Sequence, residues 1–308
     1  MEKLDAGLVS VLAAEGSACA VVRVRSPWQL NYVARHFDVL ARFPFINSIG
    51  VRCDRKEAVR LAAMQEVVSV TAQSRVRALS DGGARQESVD PGILRAESAE
   101  GRAAAQNSPP YAAAETLGVK GLTGRGAVLA VLDTGVSPHV DISVPRDRVR
   151  AFKDFVGGGE FPYDDNGHGT FVTGVAAGGG LLSAGEVRGV APQAEIVSVK
   201  VIGASGETGA FTILEGMQWL FDNFRALGVK VVCMSFGADP LPSADPLKLG
   251  AEMLSRSGLT VVCASGNSGA GSLKSPGISG EVITVGAVDE GLKVAPFTSS
   301  GVYQGVYR

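Results

Sequence analysis

The sequence predicts two units joined by a linker. A small α+β ferredoxin-like unit occupies residues 1–79, a linker covers 80–106, and an α/β unit with a parallel sheet in three layers covers 107–308. Three observations carry this prediction. The elements before residue 80 follow the order β-α-β-β-α-β, a split pair of βαβ units. The stretch after it turns to small, polar and charged residues with no sustained apolar period. Beyond that, continuous apolar runs alternate with helical patterns, as in parallel strands covered on both faces.

The elements follow in order. SACAVVRVR, from Ser17, reads as a strand. PWQLNYVARHFDVLARF follows, with Leu30, Val33, Phe37, Leu40 and Phe43 spaced three or four apart, which predicts one long helix. FPFINSIGVRC predicts a short strand pair turning at Asn47 and Ser48, Asp54 with Glu57 three residues on predicts a capped helix, and VVSVTA closes the unit as a strand. In the second unit AVLAVLD, EIVSVKV, VKVVCMSFG, LTVVCASGN and EVITVGAV read as strands. The helix predicted over 211–227 buries Ile213, Leu214, Met217, Leu220, Phe221 and Phe224, and DPLKLGAEMLSRSG predicts another.

Composition narrows the function. The chain is 45% apolar and 19% charged, which suits a globular fold, and no run reaches the ~18 apolar residues of a membrane helix. Lys and Arg total 29 against 31 Asp and Glu, so there is no basic field to hold a nucleic acid. Asp5 and Glu15 interrupt any signal-peptide core, which predicts a cytoplasmic protein. Cys19, Cys53, Cys233 and Cys263 form no C-x-x-C and are expected to be free thiols. Glycine is in surplus, at 40 residues, so many backbone positions require freedom or close approach.

In parallel sheets the chemistry collects at the carboxyl ends of strands, and three segments carry candidates there. VLDTGV delivers Asp133 to a strand end. DDNGHGTFVTGVAAG sets His168 between two glycines at the mouth of a helix, and VVCASGNSG ends a strand in a turn containing Asn267. Each alone is ordinary: a turn aspartate, a structural histidine, a loop. Asp164 and Asp165, beside the histidine motif, read as a solvated loop. Asp-Thr-Gly also occurs in aspartic proteases, but those need two such turns in a β-rich fold, and this chain has one among alternating strands and helices.

Together, in this order, the three segments resemble the subtilisin-like serine protease family. RGVAPQAEIVSVKVIG, VVCMSFG and VITVGAVDEGLKVAPFTSSG extend the resemblance from about Asn107 to Arg308. It implies a subtilisin-like three-layer domain and peptide or unfolded protein substrates. It also implies roles: Asp133 orients His168, His168 is general base and then acid, and Asn267 donates to the oxyanion. Ser235, Phe236 and Gly237 would form one edge for an extended substrate, Gly203 through Gly209 the other, and Ala264, Ser265 and Gly266 would line the pocket for the residue before the scissile bond. Residues 1–79 are similar to the family's prodomain, which assists folding and inhibits by placing its last segment in the cleft. No Asn or Gln cluster after AAGGGLL matches the family's calcium loop, so no metal or other cofactor is expected.

The family's nucleophile lies in a Gly-Thr-Ser-Met-Ala type motif, and none follows Asn267. Ser299 and Ser300 match the loop before that motif. The expectation is a catalytic domain that stops short of its serine and is nearly inert, since loss of such a nucleophile costs about 10⁶ in turnover. The alternative is a non-catalytic pseudoprotease that binds peptide or a partner protease.

Overall fold

The computed structural model describes residues 3–79, 121–242, 244–289, 291–303 and 306–307. The linker expected over 80–106, and residues 107–120 of the expected second unit, lie outside them. The small unit runs α1 (Ala6–Glu15), β1 (Ser17–Val24), α2 (Gln29–Ala34), β2 (Asp38–Phe43), β3 (Ser48–Asp54), α3 (Arg55–Ala63) and β4 (Val67–Ala72). Its antiparallel sheet has the order β2-β3-β1-β4, the ferredoxin-like arrangement. Asp54 caps α3 in a reciprocal box, accepting from the Glu57 amide at 2.8 Å while Glu57 accepts from the Asp54 amide at 3.0 Å.

Two features differ from the sequence reading. Helix α1 has no counterpart in it; Asp5 caps this helix through the Leu8 amide, and Leu8 and Leu12 bury in the small unit's core. The long helix expected from Leu30 to Phe43 stops at Ala34, and its second half is β2. Phe37, Leu40 and Phe43 satisfy a helical spacing, but Val39, Ala41 and Phe43 satisfy a period of two, and pairing with β3 selects the second, leaving Leu40 exposed. A short apolar run is ambiguous between these periods until its hydrogen-bond partners are known.

The large unit is a parallel six-stranded sheet in the order β13-β12-β10-β6-β8-β7. Its strands are β6 (Val128–Asp133), β7 (Val149–Asp154), β8 (Glu195–Lys200), β10 (Val231–Met234), β12 (Thr260–Ala264) and β13 (Ile283–Val285). Helices α6 (Ala210–Leu227) and α7 (Pro246–Arg256) cover one face. Short α4 (Val140–Ser143) and α5 (His168–Ala177) lie on the other, where Ile142 and Ala177 pack with Ile196 of β8. The apolar side of α6 is buried through Ile213, Leu214, Met217, Leu220 and Phe224, while Phe221 is half-buried.

The two units share one core. Val21, Phe43, Phe45 and Ile46 of the small unit join the cluster formed by α6, α7 and the large sheet. Phe43 meets Phe211 at 5.8 Å between ring centroids and Phe45 meets Phe221 at 5.7 Å, both tilted, as aromatic quadrupoles favour. The Phe45 amide donates to Gln218 Oε1 at 3.0 Å, fixing the docking register.

Candidate active site

After β4 the chain continues as β5 (Arg75–Ala78), which leaves the small unit's sheet and lies between β9 (Glu207–Gly209) and β11 (Phe236–Gly237) of the large unit. Both pairings are antiparallel: Arg75, Val76 and Arg77 face Gly209, Thr208 and Glu207, and Ala78 and Arg77 face Phe236 and Gly237. The Ala78 amide donates to Gly206 O at 2.9 Å and the Leu79 amide to Ser235 O at 3.0 Å. With both edges paired, an extended peptide is held without reference to its own fold. Val76 is fully buried, and Arg77 adds an ion pair to Glu207 at 2.8 Å.

This segment ends at a buried pair. His168 Nδ1 lies 2.7 Å from Asp133 Oδ1, and the two residues are 8% and 1% exposed. Strand β6 delivers Asp133 to its carboxyl end, and His168 is the first residue of α5. The Thr134 amide donates to Asp133 Oδ1, and Thr134 Oγ1 accepts from the Gly169 amide, each at 2.7 Å, so one residue links the strand end to the helix start. Gly135 makes the exit from β6 at a φ of 119°, and a Cβ there would stand 2.1 Å from Tyr163 O, which explains the glycine.

His168 Nε2 faces Leu79 O at 3.3 Å. With the Nδ1 proton directed at Asp133, Nε2 donates to this carbonyl only as imidazolium, whereas the neutral ring presents a lone pair, the form a general base needs. Burial lowers the basicity of the ring, but the hydrogen bond and charge of Asp133, with the Leu79 carbonyl, outweigh it and raise the histidine above its ordinary range.

The other expected site residues fall as follows. Ser235 and Gly237 flank the tail, Phe236 pairs with Ala78 and is fully buried, and Gly209 pairs with Arg75. Gly203 lies in the turn before the paired segment, accepting from the Gly206 amide, and does not pair with the tail. Ala264, Ser265 and Gly266 continue from β12, beside β10; the Ser265 amide and carbonyl bond to Val285 and Lys274, so this backbone serves as wall. Gly266, at a φ of 115°, abuts the Lys274 stem and Ser299 Oγ. Asn267 is half-buried in the turn that follows, at the carboxyl end of the sheet, where Asp133 and Ser235 also lie.

The neighbours of the histidine are a correction. Asp164 accepts from the Asn166, Gly167 and Thr170 amides and from Thr170 Oγ1, and these bonds hold its carboxyl below the usual range against the opposing effect of burial. Asp165 pairs at 2.6 Å with Lys200 Nζ. Lys200 is fully buried and also donates to Thr134 O at 2.5 Å and Ile202 O at 3.0 Å, with Tyr163 beneath it at 4.9 Å. These two aspartates thus build the loop that presents His168. The sequence held a signal for this: Lys200 is a lone cation closing an apolar strand buried on both faces, where a charge needs a dedicated partner.

Among the described residues no group of three or more His, Cys, Asp or Glu could hold a metal ion. The loop after α5, where the family resemblance would put calcium, is built around the Arg148 guanidinium and the Asp141 carbonyl, and a cation beside that guanidinium would be repelled. All four cysteines are free, and burial pushes the Cys233 and Cys263 thiols up, away from nucleophilic character.

Comparison with known proteins returns a match to the family model described as the subtilase family over residues 124–306. The serine protease AprX of Bacillus subtilis is 40% identical over 178 residues, which are 55% of this chain and 40% of that protein. Subtilisin Savinase of Lederbergia lenta is 41% identical over 182 residues, 59% of this chain and 63% of that protein. An alkaline protease of Shouchella clausii is 41% identical over 182 residues, 59% of this chain and 44% of that protein. The matched part of the chain therefore spans between 40% and 63% of these relatives.

Proposed function

The chain belongs to the subtilase family, and from that premise we propose that its cleft is the peptide-binding cleft of a serine endopeptidase, held by residues 1–79 acting as an inhibitory prodomain. The observation that carries the proposal is the Leu79 carbonyl at His168 Nε2, at the end of a segment paired on both edges. In this reading Val76 and Leu79 occupy substrate subsites and the bond after Leu79 lies where a scissile bond would lie. His168, oriented by Asp133, would take the nucleophile's proton and return it to the leaving amine, and Asn267 would donate to the oxyanion, a contribution of about 10²–10³ in turnover.

The nucleophile is the part these residues do not supply. Among the described residues the ring of His168 is bonded to Asp133 and Leu79 and to no serine hydroxyl. Ser299 Oγ accepts from the Ser268 amide and sits beside Ser272, and Ser235 Oγ lies against Cys233. We therefore assign to the described residues peptide binding without peptide cleavage.

Two measurements test the reading separately. A fluorophosphonate probe should leave every serine of the chain unlabelled; stoichiometric labelling of any serine overturns the missing-nucleophile statement. A fluorescent peptide of sequence Arg-Val-Arg-Ala-Leu should bind saturably to a Val76→Asp chain, whose tail is released, and not to the parent chain, whose cleft is filled. Equal binding to both, or to neither, overturns the assignment of the cleft.

A further inference from the structure

On the face of the sheet away from the small unit, behind the loop that follows α5, lies a cavity of about 830 Å³. Arg125, Arg146, Arg148 and Arg188 line it, together with Gln193, Thr123 and glycines of the loop, and among the described residues no carboxylate does. Arg148 is the informative member. It is only 6% exposed, yet its guanidinium donates to two backbone carbonyls, Ala194 O at 2.8 Å and Asp141 O at 2.5 Å, and among the described residues it makes no salt bridge. A buried cation without an anionic partner is costly, and carbonyl dipoles offset only part of that cost. Burial and the like charge of Arg146 both make the protonated guanidinium harder to hold, and Asp141 is the opposing influence.

The remaining charges do not supply the missing anion. Glu195 takes Arg146 on Oε1 at 2.9 Å and Arg150 on Oε2 at 2.6 Å, which leaves Arg146 paired and the other three lining arginines without a carboxylate among the described residues. The Asp141 carboxylate accepts from the Leu182 amide and acts on Arg148 through its charge alone, the hydrogen bond of the guanidinium falling on the Asp141 carbonyl. Arg125 is held by Gln193 Oε1 at 3.0 Å, a neutral acceptor, and the stem of Arg188 packs over Gly180 with no acidic partner among the described residues. Arg125, Arg148 and Arg188, three planar guanidiniums with no acidic partner among the described residues, around a roomy cavity match a multiply charged oxyanion, because a guanidinium fork fits two oxygens of such a group at once.

We propose that this cavity is a binding site for a small phosphate-bearing anion, independent of the cleft. Its walls come from the α5–β8 loop, the end of α4 and the approach to β6, so an anion there would tie the loop behind the His168 helix to the sheet.

The test is calorimetric titration of the full 308-residue chain at fixed ionic strength with inorganic phosphate and, in a second arm, with glycerol 2-phosphate, against chloride as the control. Saturable binding of one anion per chain is expected from phosphate, from the ester, or from both, and the relative strength of the two arms tells a free ion from a phosphate ester. An Arg125→Ala, Arg188→Ala double variant, whose side chains are exposed and whose loss leaves the core intact, should weaken binding at least about tenfold. Arg148→Met should abolish it, with the double variant deciding the matter if this chain does not fold. Absence of saturable binding in both arms, or binding that the double variant leaves unchanged, overturns the assignment.

Discussion

Lys200→Met is the substitution whose cost follows most directly from the geometry. Methionine keeps the unbranched stem, so the cavity contribution is small. What disappears is the ammonium that satisfies Thr134 O, Ile202 O and Asp165 Oδ1, at a position with no exposure to solvent. Asp165 is 42% exposed and recovers hydration, so its loss contributes little. The two carbonyls belong to fully buried residues, and each orphaned acceptor costs about 1–3 kcal/mol, offset in part because the ammonium no longer has to be desolvated. The net expectation is a loss of about 2–4 kcal/mol, read as a lower urea midpoint at unchanged slope. Asp165→Asn, which keeps an acceptor for the ammonium, should cost less. A Lys200→Met chain within about 0.5 kcal/mol of the parent would show that the ammonium does not organise the histidine loop.

Three further outcomes are expected. In an NMR titration His168 should take up its proton above the ordinary histidine range, and Asp133→Asn should lower it, because the hydrogen bond and charge of Asp133 vanish while burial remains, opposed only by the Leu79 carbonyl and the charge of Asp164. Since the folded-state value is the higher one, the protonated ring contributes stability that is fully present below about pH 6.5 and is lost as pH rises through the folded value, so tail docking should weaken across that window. Gly135→Ala should fail to fold or lose more than about 3 kcal/mol, since both the positive φ and the contact with Tyr163 O oppose a side chain; near-parental stability in a denaturant melt would contradict the turn geometry.

Much of this site was legible because its parts are local. An apolar strand ending in Asp133, a histidine framed by glycines at a helix start, and a strand ending in Gly266 and Asn267 each declare their position at the carboxyl end of the sheet. The β-α-β-β-α-β order of the small unit was legible for the same reason, although the boundary inside residues 27–43 was not, because two periods fit Phe37 through Phe43. What the sequence withheld depends on contacts across large separations. The resemblance places the end of the small unit in the cleft, but the pairing of Val76 with Thr208 and of Ala78 with Phe236 joins segments from three parts of the chain, and nothing in Arg-Val-Arg-Ala gives that register. The reach of Lys200 to Asp165 depends on a side chain crossing from one strand end to a loop, so the acidic pair beside the histidine reads as solvated until that lysine is seen.

Residues 75–79 lie in the cleft as a paired strand ending at His168. Hydrogen exchange of the Ala78 and Leu79 amides in the intact chain tests this placement most directly. Slow exchange is expected at both, through their bonds to Gly206 O and Ser235 O, with protection falling sharply in Val76→Asp, which places a charge where a fully buried valine sits. Exchange at the rate of an unstructured peptide in the parent chain would contradict it.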